Sequence, residues 1–284
     1  MMSFVMPKPN KYNRDRLSEG RDNMKTYKGY LLDLDGTIYH GNRVIPEAIT
    51  FITYLQETKT PYLYVTNNSS TTPEKVAERL SNMGLPTTAD QVYTTSMATA
   101  KYLTEQKGQP KTYFALGEEG LFTAMEEAGF TFTQENPSYV IIGIDRSVTY
   151  EKLTTAMRAI RNGATFIATN ADPALPTEHG LMPGNGALVA AVATASAQRP
   201  TIIGKPESII IKYALEKLGT KPEETIIVGD NLHTDIQAGI NSGIDTLLVL
   251  SGYSTLEDAD KHDEPPTYVE QSLLTWMDKI RPGL

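Results

Sequence analysis

The sequence predicts an α/β fold in which a doubly wound parallel sheet forms a core and a second α/β unit is inserted into it. Three observations carry that prediction. Short apolar runs such as Tyr30-Leu31-Leu32 and Thr225-Ile226-Ile227-Val228 lack polar alternation, which suits strands buried on both faces of a parallel sheet. Helical patterns follow them along the chain, as in doubly wound sheets. Finally, 139 positions separate Thr66 from Lys205, two residues placed just beyond such runs, where a single crossover needs only about 30 residues. The surplus, about 100 residues, is the size of a small domain.

Residues 1–23 mix charges of both signs without a sustained period, so a disordered tail is expected there, with folded structure starting near Met24. The first strand ends in Asp33, Leu34 and Asp35, followed by Gly36 and Thr37. Pro46 opens a helix reaching about Lys59, with Ile49, Ile52 and Leu55 on one face. A strand over 62–65 runs into Thr66-Asn67-Asn68-Ser69, and its tyrosines read as core residues. Thr72 and Pro73 supply the cap and first turn of a helix bearing Val76, Leu80 and Met83 and closed by Gly84.

The inserted domain is expected over 99–199, leaving 24–98 and 200–284 to the core. Within it, strands are predicted over 113–116, 139–144 and 165–168, and helices over 119–128, 150–162 and 186–197, punctuated by Gly117, Gly129 and Gly163. The core resumes with a strand over 201–203 that leads into Gly204-Lys205-Pro206, then a helix over 206–218. A strand over 225–228 delivers Gly229-Asp230-Asn231, and a helix over 235–242 and a strand over 246–250 follow. The last helix, near 272–280, holds the sole tryptophan, Trp276, read as packing.

Composition narrows the function. Hydrophobic residues at 40% and charged residues at 21% describe an ordinary globular protein. No apolar run approaches the roughly 20 residues needed to span a bilayer. The amino-terminal segment lacks the apolar centre of a signal peptide, so a cytoplasmic location is expected. Cysteine is absent, which removes disulfides, thiolate catalysis and sulfur-ligated metals. A formal charge of -8 disfavours a nucleic-acid partner. It also repels anions on average, so local positive charge, from Lys205 and a bound cation, has to recruit an anionic substrate.

Asp33-Leu34-Asp35-Gly36-Thr37 alone reads equally well as a solvated turn. Recurrence decides otherwise. Four buried runs each deliver polar groups, and ligands of α/β sheets bind outside the carboxyl ends of strands. Gathered there are the carboxylates Asp33, Asp35, Asp230 and Asp235, the Thr66 hydroxyl, the Asn67 amide and Lys205. Carboxylates left unpaired in a folded site are costly, so a cation is expected.

In these four ordered segments the chain resembles the haloacid dehalogenase (HAD) superfamily of aspartate-nucleophile phosphatases, from about Met24 to the end. Only 29 positions, filled by one helix and one strand, lie between Thr37 and Thr66. The insertion therefore falls after the second motif, as in the NagD-like and p-nitrophenyl-phosphatase branch, where the chain resembles the bacterial acid sugar phosphatases. The resemblance implies a Rossmann-like core in which Asp33 is the nucleophile and Asp35 the acid/base, a role for which its site must raise the usual pKa of about 3.9. It assigns Mg2+ to the Asp33 side chain, the Asp35 backbone carbonyl and the Asp230 side chain. Asp235 is left as a ligand, a support for the ligands or a helix cap. Oxygen ligands, the lack of cysteine and a phosphate substrate favour that ion.

Thr66 and Asn67 are assigned to phosphate and nucleophile placement, and Lys205 to charge balance. Lys205 is not a P-loop lysine, because the upstream glycine spacing is missing. Gly36, Asn68 and, from the insertion, Asn170, Asp172 and His179 are the substrate-binding candidates. His40, His179, His233 and His262 are scattered, with no pair at metal-ligand spacing.

The expected activity is Mg2+-dependent phosphomonoester hydrolysis through an aspartyl-phosphate. The expected partner is a small phosphorylated metabolite, a sugar phosphate or acid sugar phosphate. Neither nucleic acid nor membrane is expected, and the sequence permits a homo-oligomer without specifying one. A phosphomutase of the same superfamily shares Asp33 and Asp35, but its small helical cap leaves no place for this insertion. A dehalogenase lacks the second carboxylate, and a cation-pumping ATPase needs membrane spans. From another class, a low-turnover regulatory metabolite-binding protein would retain the fold, and the intact motif side chains argue against it.

Overall fold

Successive side chains of the central strands, buried throughout, face two different apolar clusters in alternation, and this organises the molecule. A computed structural model describes residues 25–177 and 180–281, so the expected tail over 1–23 and the candidate His179 lie outside the described residues. In chain order the first part comprises β1 (Gly29–Leu32), a small hairpin of β2 (Tyr39–His40) and β3 (Arg43–Val44), α1 (Pro46–Glu57), β4 (Tyr62–Thr66), α2 (Pro73–Asn82), β5 (Val92–Thr94) and α3 (Thr95–Glu105). Pro46 and Pro73 start their helices at positions where the missing N–H is not needed, and the Thr72 hydroxyl caps the second by accepting from Lys75 N.

The second part holds β6 (Thr112–Leu116), α4 (Glu119–Glu127), β7 (Thr131–Phe132), β8 (Tyr139–Ile142), α5 (Tyr150–Arg161), β9 (Thr165–Ala168), the hairpin β10 (Ala174–Thr177) and β11 (Gly180–Pro183), α6 (Asn185–Ser196) and β12 (Thr201–Ile202). The third part holds α7 (Ser208–Leu218), β13 (Thr225–Gly229), α8 (Gln237–Ser242), β14 (Asp245–Val249), α9 (Leu256–Lys261), β15 (Tyr268–Glu270) and α10 (Leu273–Ile280).

The first and third parts form one six-stranded parallel sheet, β15-β14-β13-β1-β4-β5, with β1 between β13 and β4. The second part forms a five-stranded parallel sheet, β12-β9-β8-β6-β7. The α/β class and the Rossmann-like core are as the sequence predicts.

Tyr30, Leu32, Tyr62, Tyr64, Ile226 and Val228 point into a cluster that also holds Phe51, Leu55 and the fully buried Trp276. Leu31, Leu63, Val65 and Ile227 point the other way. There they join Tyr113, Ala115, Ile141 and Ile167 of the second sheet, together with side chains of α3, α4 and α7. The insertion is thus seated on the core through a shared apolar cluster, and its opposite face has a cluster of its own around Phe114, Val140, Ile142 and Phe166.

The structure corrects four readings. The strand predicted for the core over 201–203 pairs with β9 of the second sheet, Thr201 with Ile167 and Ile202 with Ala168. It follows α6, and the crossover returns it, parallel, to the sheet the chain had left. The helix expected from Pro206 starts at Ser208. The helix expected over 235–242 opens as a π-turn, Leu232–Ile236, whose side-chain cap is Asn231 and not Asp235. Strands β5, β7 and β15, both hairpins, α3 and α9 have no counterpart in the sequence pattern above. Most are short, and two or three residues carry too little periodicity to register.

The two sheets meet closely at the loop after β4. Gly120 N donates to Ser70 O at 3.0 Å, and a Cβ on Gly120 would lie 2.4 Å from Thr71 O and 2.7 Å from Thr71 N. Gly120 is the second residue of α4, where alanine is intrinsically the better helix former. Steric exclusion by backbone therefore sets the sign. Gly120→Ala should destabilise the protein by about 1–3 kcal/mol, read as a lower Tm. A higher Tm would show that the insertion is not seated on this loop.

Candidate active site

β1 ends at Leu32 and delivers Asp33, whose N–H is held by Val228 O at 2.9 Å. The chain then turns sharply. Leu34 O accepts from the N–H groups of Thr37, Ile38 and Tyr39, and Gly36 N donates to Tyr39 O at 2.7 Å. Gly36 has φ +90°, and a Cβ there would lie 2.2 Å from Asp230 Oδ2, so both backbone and space require glycine. Asp230, at the end of neighbouring β13, is thereby packed directly against the Asp33–Thr37 turn.

Lys205 is 2% exposed. Its Nζ donates to Asp33 Oδ1 at 2.5 Å, Asp235 Oδ1 at 2.6 Å and Val65 O at 3.0 Å, which occupies all three ammonium hydrogens. Asp235 also accepts from Asn231 N through Oδ2 at 3.2 Å. Burial opposes the lysine charge, yet Asp235 and Asp33 hold its pKa above the ordinary value. Burial first, and then the charge of Asp235, lift Asp33 well above the carboxylate range, against the pull of Lys205. The same two causes push Asp230 up to about 7. Asp35 lies at the exposed rim, where partial loss of water around its carboxyl raises its pKa while Arg79, His40 and the Gly41 N–H pull it down.

Asp33, Asp230 and Asp235 present carboxylate oxygens within 4.8 Å of one another, the one such cluster among the described residues. With one lysine among three carboxylates, two negative charges remain uncompensated when all are ionised. A hard divalent cation fits that donor set. The carboxylate of Asp35 stands outside the cluster.

The other candidates divide. Thr66 is buried, and its hydroxyl accepts from Asn68 N. Asn68 is turned into its own loop, bonding Ser70 and Thr71. Asn170 and Asp172 do reach the site from the insertion, but their side chains meet Asn67: Asn170 Nδ2 donates to Asn67 O at 2.8 Å, and Asp172 accepts from Asn67 Nδ2 at 3.1 Å.

Sequence reasoning missed the loop after β14. Tyr253 N donates to Asp230 Oδ2 at 2.6 Å, Ser254 N to Asp230 O at 3.0 Å, and Ser251 Oγ to Gly36 O at 2.9 Å. A Cβ on Gly252 would lie 2.0 Å from Asp230 Oδ2. Ser251-Gly252-Tyr253-Ser254 follows a buried apolar run, the same signal that marked the other loops. Folding also brings His233 and His262 together, ring centroids 5.5 Å apart, beside a cleft of about 460 Å³ next to this loop.

Comparison with known proteins adds the following. A haloacid dehalogenase-like hydrolase model matches residues 30–131 and a HAD-hydrolase-like model residues 202–276. The chain is 52% identical over 257 residues to the 5'-nucleotidase YutF of Bacillus subtilis, covering 90% of this chain and 100% of that one. It is 50% identical over 246 residues to an acid sugar phosphatase of Staphylococcus aureus, covering 86% and 95%. The structure of NagD from E. coli K-12 superposes with a TM-score of 0.83 at 38% identity, covering 88% and 98%. No helix among the described residues is long and apolar enough to cross a membrane.

The clustered carboxylates set a pH dependence. Asp230 titrates at about 7 in the folded chain, against roughly 3.9 when unfolded. Between those values the native state binds more protons than the unfolded state, so stability falls as pH rises through the window. The metal-free protein should therefore lose Tm from about pH 5 to 7.5, and Mg2+ should raise Tm more at about pH 8 than at pH 5. A flat metal-free profile, or an equal Mg2+ effect at both values, would count against the cluster as a cation site.

Proposed function

The chain belongs to the haloacid dehalogenase-like hydrolase family and is a phosphatase of its NagD-like branch, and from that premise we propose a mechanism and a substrate class. The carrying observation is the buried Lys205 ammonium between Asp33 and Asp235, beside Asp230. Asp33 is the nucleophile: Lys205 holds one of its oxygens, and the other attacks phosphorus, forming an aspartyl-phosphate as the ester P–O bond breaks. Asp35 gives its proton to the leaving oxygen. It then takes a proton from the water that attacks the aspartyl-phosphate, which releases inorganic phosphate and restores Asp33.

Thr66 and Lys205 steady the transferring group. The carboxylates of Asp33 and Asp230, with the Asp35 backbone carbonyl and Asp235 close behind, would hold Mg2+. Its chemistry is neutralisation of charge on the nucleophile and phosphoryl oxygens. Asp35 suits its role by position as well as by its raised pKa, since it stands at the rim and outside the carboxylate cluster.

The substrate in this reading is a small cytoplasmic phosphomonoester, a sugar phosphate or acid sugar phosphate, as the name of the Staphylococcus relative suggests. A nucleoside monophosphate is the second reading, favoured by the name of the Bacillus relative. Phosphate release from a panel containing both classes, with Mg2+, decides between them. A folded protein that releases phosphate from neither would refute the hydrolase mechanism.

Asp33→Asn should abolish turnover. Asp35→Asn should reduce it by about 10²–10⁴-fold while still permitting covalent labelling by a substrate with a good leaving group. Chelation should remove activity and Mg2+ restore it. Normal turnover by Asp33→Asn, or after exhaustive metal removal, would sink the mechanism.

A further inference from the structure

The side-chain amide of Asn67 brackets one residue of the opposite loop. Its Oδ1 accepts from Lys205 N at 2.8 Å, and its Nδ2 donates to Lys205 O at 2.9 Å. The second Nδ2 hydrogen goes to Asp172, at 3.1 Å from Oδ2 and 3.3 Å from Oδ1. Asn67 belongs to the core and Asp172 to the insertion, 105 positions later. Asn170 Nδ2 meanwhile holds Asn67 O. The junction has no slack: a Cβ on Gly204 would lie 2.5 Å from Asn67 Oδ1 and 2.6 Å from Thr169 O.

We propose that Asp172 is a positioning residue for Lys205, acting through the amide of Asn67, so that the docked insertion completes the mount of the core's buried lysine. An ionised carboxylate only accepts hydrogen bonds. Rotating the Asn67 amide by half a turn would set its oxygen against Asp172 and its NH2 against the Lys205 N–H. The Lys205 N–H and C=O disfavour the same flip, and Asp172, taking the second Nδ2 hydrogen, locks the amide in the one orientation that grips Lys205 at both backbone groups. The grip matters because the Lys205 ammonium has to meet Asp33, Asp235 and Val65 O together, and small misplacements of such a group are costly to rate. The same bonds turn the Asp172 carboxylate toward Asn67.

The inference rests on the phosphatase reading, so the test has one arm that does not. Asp172→Ala, Asp172→Asn, Asn67→Ala and the Asp172→Ala/Asn67→Ala pair would be assayed with Mg2+ on p-nitrophenyl phosphate and on a sugar phosphate, alongside Tm and hydrogen exchange at the Lys205 amide. Asp172→Ala should lower kcat on both substrates by the same factor, about ten- to a hundredfold, with KM within about twofold. Asp172→Asn, which keeps an acceptor for Asn67, should recover most of the loss, and the double variant should be no worse than Asn67→Ala alone. Exchange at Lys205 should quicken in Asp172→Ala while β1 and β13 keep their protection. Unequal losses on the two substrates would mean that Asp172 selects substrate. Unchanged kcat in folded Asp172→Ala, additive losses, or unaltered Lys205 exchange would each overturn the proposal. A wild type inactive on every phosphomonoester would refute the phosphatase reading, and the exchange arm would still judge the mount.

Discussion

A buried ammonium among carboxylates constrains everything around it. Lys205 is nearly inaccessible, and each of its hydrogens has a partner. Removing a charge from water is costly unless it is paired and fully hydrogen-bonded. The three segments that supply those partners and the loop that carries Lys205 must therefore arrive together, and none can relax alone. Two of the pairs join the third motif to the first and fourth, 172 and 30 positions away in the chain. The parallel sheet makes this feasible by ending β1, β4 and β13 side by side at one edge.

Close packing sharpens that constraint around Asp230. Gly36 approaches it from one side and Gly252 from the other, at distances no Cβ could tolerate. In the β14 loop, the Tyr253 N–H donates to the Asp230 carboxylate and the Ser254 N–H to the Asp230 backbone carbonyl. The surroundings leave burial and neighbouring charge only partly compensated, which is why Asp230 and Asp33 resist ionisation in the absence of a cation.

The insertion contributes more than a roof. It shares an apolar cluster with the core sheet, seats Gly120 on the loop after β4 and bonds Asn67 through Asn170 and Asp172. It also owns the strand that leads into Lys205, since β12 belongs to its sheet. The segment that carries Lys205 is therefore hung from the insertion, and the lysine is held from both sides of the domain boundary.

The sequence by itself determined the class of fold and marked seven polar residues that follow its buried strands. Uninterrupted apolar runs leave a buried parallel strand as their main outlet, and Asp33, Asp35, Thr66, Asn67, Lys205, Asp230 and Asp235 follow such runs as the polar groups at their ends. Those are local signals, written in consecutive residues. Only the tertiary structure decided which sheet β12 joins, that Asn231 and not Asp235 caps the turn after β13, and that Gly252 and Tyr253 close around Asp230. It also decided that Asn170 and Asp172 bond Asn67. Each depends on pairings between residues far apart in the chain, and their partners carry no mark of one another in sequence. Long-range register is set by the packing of two sheets against a shared cluster, which no window of neighbouring residues contains.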